Sequence, residues 1–246
     1  MHIVLTGATG TVGSAVLRAC LASPNITRLS ILSRREFPLP TGEGLDTKKA
    51  HIVVHTDYTS YPSSVTDLLK GAEGCIWAQG ISSTQVSKPE YIRITYDYPL
   101  AAAKAFSTLS ENNKFNFVYV SGEGADPTEK AAALFSKIKG RTEVALRALP
   151  STPSYSALNI FNVRPGYVDP TAEQRSSLSL TKRVLTGVAG PIFRVLVPDK
   201  VSPADILANV LVDLATGDGK PVPPGIGVED EGRLVRCVGV RRMSGL

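Results

Sequence analysis

The feature that most constrains this chain is a run of closely spaced glycines near its start. Residues 7–13 read Gly-Ala-Thr-Gly-Thr-Val-Gly and directly follow an apolar run at residues 3–5. A buried strand that turns through glycines into a helix offers free N–H groups at the helix start, where a phosphate can bind. In this interpretation Gly7 allows the tight turn, Gly10 lets the backbone approach phosphate oxygens, and Gly13 lets the helix pack near the strand. The spacing is a variant of the usual fingerprint, and ordinary turn chemistry is the alternative.

Strand-like and helix-like segments alternate along the chain, which indicates the fold class. Such alternation is typical of an α/β protein with a Rossmann-like, doubly wound parallel sheet, whose ligands bind at the carboxyl ends of the strands. The length suits a single domain over residues 1–246, with residues 167–246 as a small substrate-side region. Strands are predicted at residues 2–6, 28–33, 52–55, 75–78, 115–120, 157–163 and 234–238. Helices are predicted at residues 12–21, 64–70, 90–109, 128–149 and 202–215, with a kink at Pro99 and a cap at Ser202.

Composition and charge argue against several classes of protein. The net charge is +5, but the basic residues are scattered, without the aromatic residues or motifs that accompany nucleic-acid binding. The three cysteines lie far apart, and His51 and His55 have no acidic or cysteine partner, so we expect neither a disulfide framework nor a metal site. No apolar run reaches the ~18–20 residues that span a bilayer, and no signal peptide is recognised. We therefore expect a cytoplasmic monomer or homodimer with a small-molecule substrate and no nucleic-acid or membrane partner.

The end of the second predicted strand indicates which dinucleotide binds. The chain reads Ser33-Arg34-Arg35 at a point 20 residues after Gly13. In a Rossmann unit an acidic residue here accepts from the ribose 2′-OH of NAD, whereas an arginine accommodates the 2′-phosphate of NADP. Glu36 comes too late to take the acidic role. The sequence therefore predicts NADP(H) rather than NAD(H), and the alternative is that both arginines are surface charge.

Two later strand ends supply further candidate contacts. Asp57 follows the third strand and could accept a hydrogen bond from the adenine amino group, or could be an ordinary turn aspartate. Residues 78–80, Ala-Gln-Gly, follow the fourth strand, where the backbone would pass the second ribose. Gly80 could permit close approach there or could only form a turn.

These segments together resemble a known family. The matching motifs are residues 6–13, Ser33–Arg35, Val120-Ser121, Lys139-Gly140, and residues 92–98, 121–126 and 163–166. In this order they are similar to the atypical short-chain dehydrogenases/reductases, in the NAD(P)H-binding branch of the human Tat-interacting oxidoreductase-like protein. The resemblance covers about residues 1–215 and implies a Rossmann-like fold.

The resemblance also implies an active site of a serine, a tyrosine and a lysine, with the last two spaced Tyr-x-x-x-Lys on one helix face. Ser121 fits the serine role and Lys139 the lysine role, but Phe135 stands where the tyrosine belongs. A phenyl ring has no proton to donate, and loss of a general acid costs about 10²–10⁴-fold in rate. A different helix register, with Phe135 in the core, is the alternative. Tyr167, after a turn at residues 165–166 that is expected to cover the nicotinamide, is the favoured replacement together with Asp169.

We accordingly expect an NADP(H)-dependent oxidoreductase acting on a small organic carbonyl, alcohol or enone. The absent tyrosine leaves open a non-redox isomerase or cyclase, and a non-catalytic NADPH-sensing protein. The expected catalytic residues are Ser121, Lys139 and Tyr167. The expected cofactor-binding residues are Gly7, Thr9, Gly10, Thr11, Val12, Gly13, Ser33, Arg34, Arg35, Asp57, Ala78, Gln79, Gly80, Ser121, Lys139, Pro165 and Gly166.

Overall fold

The computed structural model describes residues 1–171, 174 and 200–245, and strands and helices alternate through them. The strands are β1 His2–Thr6, β2 Arg28–Ser33, β3 Ala50–Val54, β4 Gly74–Trp77, β5 Phe115–Val120, β6 Leu158–Arg164, β7 Tyr167–Asp169, β8 Val201–Pro203, β9 Val228–Glu229 and β10 Leu234–Arg236. The helices are α1 Thr11–Ala22, α2 Ser63–Leu69, α3 Lys88–Ile92, α4 Tyr98–Phe106, α5 Leu134–Ala148, α6 Ala204–Thr216 and α7 Cys237–Met243. Of the predicted substrate-side region 167–246, residues 172–173, 175–199 and 246 lie outside the described part.

Eight of these strands form one sheet in the order β3-β2-β1-β4-β5-β6-β10-β9. All neighbours in it pair in parallel except β9 and β10, which pair antiparallel. The strand order reverses between β1 and β4, so a crevice opens at their carboxyl ends. Strands β7 and β8 pair in parallel as a separate small sheet. The predicted Rossmann-like, doubly wound α/β fold is confirmed.

The two faces of the sheet are covered by different helices. Because side chains alternate along a strand, Ile3 and Leu5 join a core cluster with α1 and α6, whereas Val4 joins the cluster with α2 and α4 on the other face. Burying each such aliphatic side chain contributes about 1.5–3 kcal/mol to folding. The carboxyl ends of the strands therefore project from a rigid, fully covered sheet.

The helix predicted from residue 128 begins later, at Leu134. The Asp126 carboxylate accepts hydrogen bonds from the backbone N–H of Thr128 at 2.9 Å and of Ala131 at 2.7 Å, which folds the intervening residues into turns. Glu129 has a φ of +58°, outside the helical region. A β-carbon on Gly140 would lie 2.1 Å from the Asp126 carbonyl oxygen, so the turn packs directly on the helix backbone.

The helix predicted over residues 90–109 is interrupted by a π-helical turn, Arg93–Asp97, between α3 and α4. The Tyr98 N–H donates to the Arg93 carbonyl, five residues back. Pro99 has no N–H to donate to the Thr95 carbonyl four residues earlier. The hydroxyls of Thr142, at 3.0 Å, and Tyr119, at 3.3 Å, lie at hydrogen-bond distance from that carbonyl instead.

Two predictions near the C-terminus are wrong in detail. Ser202 lies within β8 and its hydroxyl accepts from the Gly166 N–H at 3.2 Å, so it does not cap α6, whose first turn follows Pro203. The strand expected at residues 234–238 ends at Arg236, because α7 begins at Cys237.

Candidate functional site

The glycine loop between β1 and α1 has the shape that the sequence predicts. Gly7 has a φ of +69°, and a β-carbon there would lie 2.4 Å from the Ala78 carbonyl oxygen. A β-carbon on Gly13 would lie 2.0 Å from the Gly7 carbonyl oxygen. The Gly10 N–H donates to the same oxygen at 2.9 Å. These contacts bring β1, α1 and the end of β4 together with no side chain between them, which leaves the helix start accessible.

A cavity of about 390 Å³, here called the arginine cavity, lies on one side of this loop. Two exposed arginines are among its lining residues: Arg34, which directly follows β2, and Arg93, at the start of the π turn. The Arg93 group lies 6.0 Å from the centre of the Tyr98 ring. The remaining lining residues are Gly7, Ala8, Thr9, Gly10, Leu32, Ser33, Thr56, Tyr58, Ala78, Gln79, Gly80, Ile81, Glu90, Ile94 and Tyr98.

A second cavity of about 380 Å³, here called the lysine cavity, lies on the other side. Its lining residues are Gly10, Thr11, Val12, Ala78, Gln79, Gly80, Ile81, Val120, Ser121, Gly122, Lys139, Pro165, Gly166 and Val168. Gly10 and residues 78–81 line both cavities. The two cavities therefore adjoin along the loop after β4 and form one elongated groove across the carboxyl ends of the strands.

Lys139 projects from α5 to the end of β5. Its Nζ donates to the Val120 carbonyl at 3.0 Å and to the Ser121 carbonyl at 2.8 Å. Burial lowers the pKa of Lys139 to about 8, against an opposing effect of the Glu143 carboxylate. The Tyr119 ring lies 5.5 Å from Nζ. The amine is thus fixed in position and loses its proton more readily than a surface lysine.

Ser121 lies beside this amine at the end of β5. Its backbone N–H donates to the Val163 carbonyl at 2.7 Å, which holds the residue against β6. Its Oγ is buried, and the described residues provide no hydrogen-bond partner for it. An unpartnered buried hydroxyl costs free energy, so it indicates a place where a ligand atom or water binds.

A buried ion pair holds the helix of Lys139 against β6. The Arg164 Nε donates to Glu143 Oε1 at 2.9 Å and its Nη2 to Oε2 at 2.5 Å. The two side chains are only 11% and 4% exposed. Glu143 is one helical turn from Lys139, and Arg164 immediately precedes the loop at residues 165–166.

A second carboxylate fastens the loop after Ser121 to the C-terminal strand. Glu123 accepts from Arg236 Nη2 at 3.0 Å and from the Cys237 N–H at 2.9 Å. Its own N–H donates to the Pro165 carbonyl at 2.9 Å. Because this carboxylate binds both a side chain and a backbone N–H of the C-terminal segment, it positions the loop after Ser121.

Phe135 lies at the first turn of α5 and is 38% exposed, so it is not a core residue beside Leu134 and Ile138. A β-carbon on Gly124 would lie 3.6 Å from the Phe135 ring. The ring therefore covers the loop after Ser121, and it is absent from the described lining of both cavities.

Other predicted site residues differ in their placement. The Asp57 carboxylate accepts from the Thr59 N–H at 3.0 Å and from its hydroxyl at 2.5 Å, and these bonds lower its pKa. Within the described chain, the predicted residues outside the lining of both cavities are Gly13, Arg35, Asp57 and Tyr167. The predicted residues that the groove brings together are Gly7, Thr9, Gly10, Thr11, Val12, Ser33, Arg34, Ala78, Gln79, Gly80, Ser121, Lys139, Pro165 and Gly166.

Sequence reasoning missed the aromatic and charged wall of the arginine cavity. Four lining residues of this cavity were not among the expected cofactor contacts: Tyr58, Glu90, Arg93 and Tyr98. Arg93 and Tyr98 lie within the motif at residues 92–98, but no cofactor contact was assigned to that motif. A helical pattern alone does not show which side chains reach a cavity, since the π turn changes their direction.

Comparison with known proteins identifies the relatives of this chain. No protein-family model matches it. The leucinostatins biosynthesis cluster protein T of Purpureocillium lilacinum is 34% identical over 99% of this chain and 95% of its own length. The chain belongs to the family of that protein. The botcinic acid biosynthesis cluster B protein 16 of Botryotinia fuckeliana is 36% identical, over 60% of this chain and 98% of its own length.

Solved structures agree on the fold. A 3-oxoacyl-[acyl-carrier protein] reductase from Brucella melitensis, solved in complex with NAD, matches 100% of this chain and 97% of its own length with a TM-score of 0.64 at 15% identity. The PhqB reductase domain from Penicillium fellutanum matches 87% of this chain and 64% of its own chain with a TM-score of 0.62 at 14% identity. The fold is therefore that of short-chain dehydrogenases/reductases, and the likeness to the Tat-interacting branch stays a prediction.

One expectation is contradicted by the comparisons. The fmp52 protein of Emericella nidulans, 24% identical over 86% of this chain and 86% of its own length, is named mitochondrial. The Aspergillus fumigatus fmp52 protein, 26% identical over 91% of each chain, carries the same designation. These names contradict the predicted cytoplasmic location. In the described part of the chain, none of the helices combines the length and the apolar character needed to cross a membrane.

Proposed function

We propose that this protein is an NADP(H)-dependent oxidoreductase that acts on a small organic carbonyl, alcohol or enone in a biosynthetic pathway. The observation that carries the proposal is the single groove that has Arg34 at one end and Ser121 with Lys139 at the other. The names of two relatives, both from biosynthesis clusters, support the pathway assignment.

The residues of the groove fit a dinucleotide. Gly7 and Gly13 allow close packing of the backbone, since a β-carbon on either residue would collide with backbone atoms. Residues 9–11 at the start of α1 are exposed, so the pyrophosphate can reach the N–H groups there. Arg34 is exposed at the rim and provides a planar set of donors for a 2′-phosphate. When bound, NADPH would supply a hydride to the substrate carbon.

The protein's own contribution is to hold the substrate oxygen and its proton. The Ser121 hydroxyl can donate to that oxygen, since the described residues leave it without a partner. Lys139 is the sole titratable side chain in the described lining of the lysine cavity. We assign the proton to its Nζ: as the carbonyl carbon is reduced, the oxygen takes this proton, and the neutral amine regains one from water.

The test is turnover of NADPH with 9,10-phenanthrenequinone and 2-cyclohexen-1-one as probes. Lys139→Met is expected to lower kcat by about 10²–10⁴-fold, the usual cost of losing a general acid. Lys137→Met, on the same helix but outside the lining, is the matched control and should keep the rate of the unaltered protein. Absence of NADPH oxidation with both probes, or equal rates in the two variants, would contradict the proposal.

The pH dependence gives a second readout. The ammonium form of Lys139 is present below its pKa of about 8 and is lost above it. The rate of carbonyl reduction should therefore fall as pH rises through about 8, by up to tenfold per pH unit. In Lys139→Arg, whose guanidinium stays protonated, this descending limb should disappear along with most of the rate.

A non-redox isomerase or cyclase is the second candidate. It is favoured by the lining of the lysine cavity, which is uncharged in its described part except for Lys139, and by the exposed Phe135 in place of a tyrosine. A cavity with few charged groups can hold a substrate in the folded conformation from which a ring closes or a bond rearranges. Incubating a candidate substrate with the protein freed of nucleotide distinguishes the two, because an isomerase forms product without NADPH and an oxidoreductase does not.

A further inference from the structure

We infer that Arg93, from the π-helical turn, is a second guanidinium for the 2′-phosphate of the dinucleotide and sets cofactor choice together with Arg34. This inference rests on the proposed function, since it concerns the same cofactor. It assigns a role to a residue for which the sequence predicted no contact.

The first argument is the placement of the two arginines on one cavity. Arg34 comes from the end of β2 and Arg93 from the segment after β4, and both line the arginine cavity. Two tyrosine rings, Tyr58 and Tyr98, line the same cavity, with their centres 5.7 Å apart. Arg34 acts electrostatically on the Tyr58 hydroxyl, and Arg93 lies 6.0 Å from the centre of the Tyr98 ring. Both cations are therefore associated with the same pair of rings.

The π turn is what gives Arg93 this position. Residues five apart on an α-helix point about 140° away from each other, because each residue turns the helix by about 100°. In a π turn the hydrogen bond spans five residues, so Arg93 and Tyr98 come onto one face. The Tyr98 N–H donates to the Arg93 carbonyl in this way. The interruption in the helix thus brings Arg93 and Tyr98 together among the lining residues of the cavity.

The Arg93 side chain is exposed and only weakly paired, which suits it to bind a ligand. Its ion-pair partner is Glu90, at 4.0 Å, and the two side chains are 54% and 44% exposed. An exposed pair of this kind contributes little to stability, so a phosphate dianion can replace the carboxylate at small cost. A planar guanidinium can donate two parallel N–H···O bonds to a phosphate, and a second guanidinium adds to the neutralising charge. Glu90 is then a weak competitor for the 2′-phosphate.

The experiment measures the dissociation constants of NADPH and NADH, which differ only by the 2′-phosphate, through their fluorescence on binding. The unaltered protein is expected to prefer NADPH. Arg93→Gln should weaken NADPH binding by about tenfold or more, the scale of a lost charge-assisted hydrogen bond, and leave NADH binding unchanged within about twofold. Glu90→Gln should tighten NADPH binding by about twofold to fivefold, because it removes the competing carboxylate.

Lys88→Gln is the matched control, since it removes one positive charge from the same helix at an exposed position outside the cavity lining. It should change both dissociation constants by less than about twofold, since screening weakens exposed charges at a distance. An unaltered NADPH preference in Arg93→Gln, or equal weakening of both cofactors, would overturn the inference while leaving the proposed cofactor intact. No preference in the unaltered protein would overturn both. A preference for NADPH without turnover would count against the oxidoreductase alone.

Discussion

The arginine cavity and the lysine cavity share one loop and differ in how their functional groups are held. The cations of the arginine cavity, Arg34 and Arg93, are exposed side chains, and the ion pair of Arg93 with Glu90 is long, at 4.0 Å. Lys139 in the other cavity is bound to two backbone carbonyls, and its helix is fastened to β6 by the buried pair of Glu143 and Arg164. One end of the groove can adapt to a ligand, whereas the other is fixed before a ligand arrives.

This difference gives the two ends different sensitivity to substitution. Loss of an exposed cation removes a ligand contact and leaves the fold intact. Loss of a buried partner leaves a charge without compensation and affects the fold itself. Substitutions at Glu143, Gly13 and Phe135 test this contrast.

Glu143→Gln is expected to have the largest effect, because it leaves Arg164 buried without its anionic partner. The free energy of unfolding should fall by about 3–5 kcal/mol, as measured by urea denaturation. Glu129→Gln is the matched control, since Glu129 pairs with Arg141 on the same helix but the two side chains are 36% and 42% exposed. Its loss should cost less than about 1 kcal/mol. Equal losses in the two variants would remove the contrast between a fixed and an adaptable end.

Gly13→Ala tests the backbone that both cavities share. Its β-carbon would lie 2.0 Å from the Gly7 carbonyl oxygen, so the loop must shift. We expect a loss of about 1–3 kcal/mol in unfolding free energy, the usual cost of overpacking, together with loss of NADPH binding. Gly80→Ala meets no atom within 4 Å and should unfold at nearly the same denaturant concentration as the unaltered protein. A stable Gly13→Ala protein that binds NADPH normally would disprove the role of the glycine loop in binding the dinucleotide.

Phe135→Tyr is expected to have the smallest effect. Because the exposed ring covers Gly124 and is absent from the described lining of the lysine cavity, a hydroxyl there has no route to the substrate oxygen. The kcat with 9,10-phenanthrenequinone should change by less than about threefold, or about 0.7 kcal/mol. A gain of a hundredfold would show that α5 presents this position to the cavity and that Lys139 is not the proton donor.

Local sequence rules predicted the sheet and one part of the groove. The glycine loop sits directly between β1 and α1, so its spacing determines both the turn and the close packing of Gly13 on Gly7. The end of β2 likewise placed Arg34 at the rim. In both cases the functional residues follow a strand within the same short segment.

Two local features and one long-range pairing account for what the sequence did not show. The start of α5 depends on the Asp126 carboxylate, which accepts from the following N–H groups and delays the helix. The direction of Arg93 depends on a π turn, and a helical pattern does not reveal such a turn. Ser202 belongs to a strand because β8 pairs with β7, where Val168 is its partner. Helical periodicity shows neither of the first two features, and the third depends on a segment distant in sequence.

The missing N–H of Pro99 reaches as far as the lysine cavity. The Thr95 carbonyl, to which Pro99 cannot donate, lies 3.3 Å from the Tyr119 hydroxyl and 3.0 Å from the Thr142 hydroxyl. These contacts tie the helix of Pro99 to β5 and α5. The face of the Tyr119 ring lies 5.5 Å from Lys139 Nζ, within the range of a cation–π contact. An imino acid in one helix therefore helps to position the ring against which an amine of another helix rests.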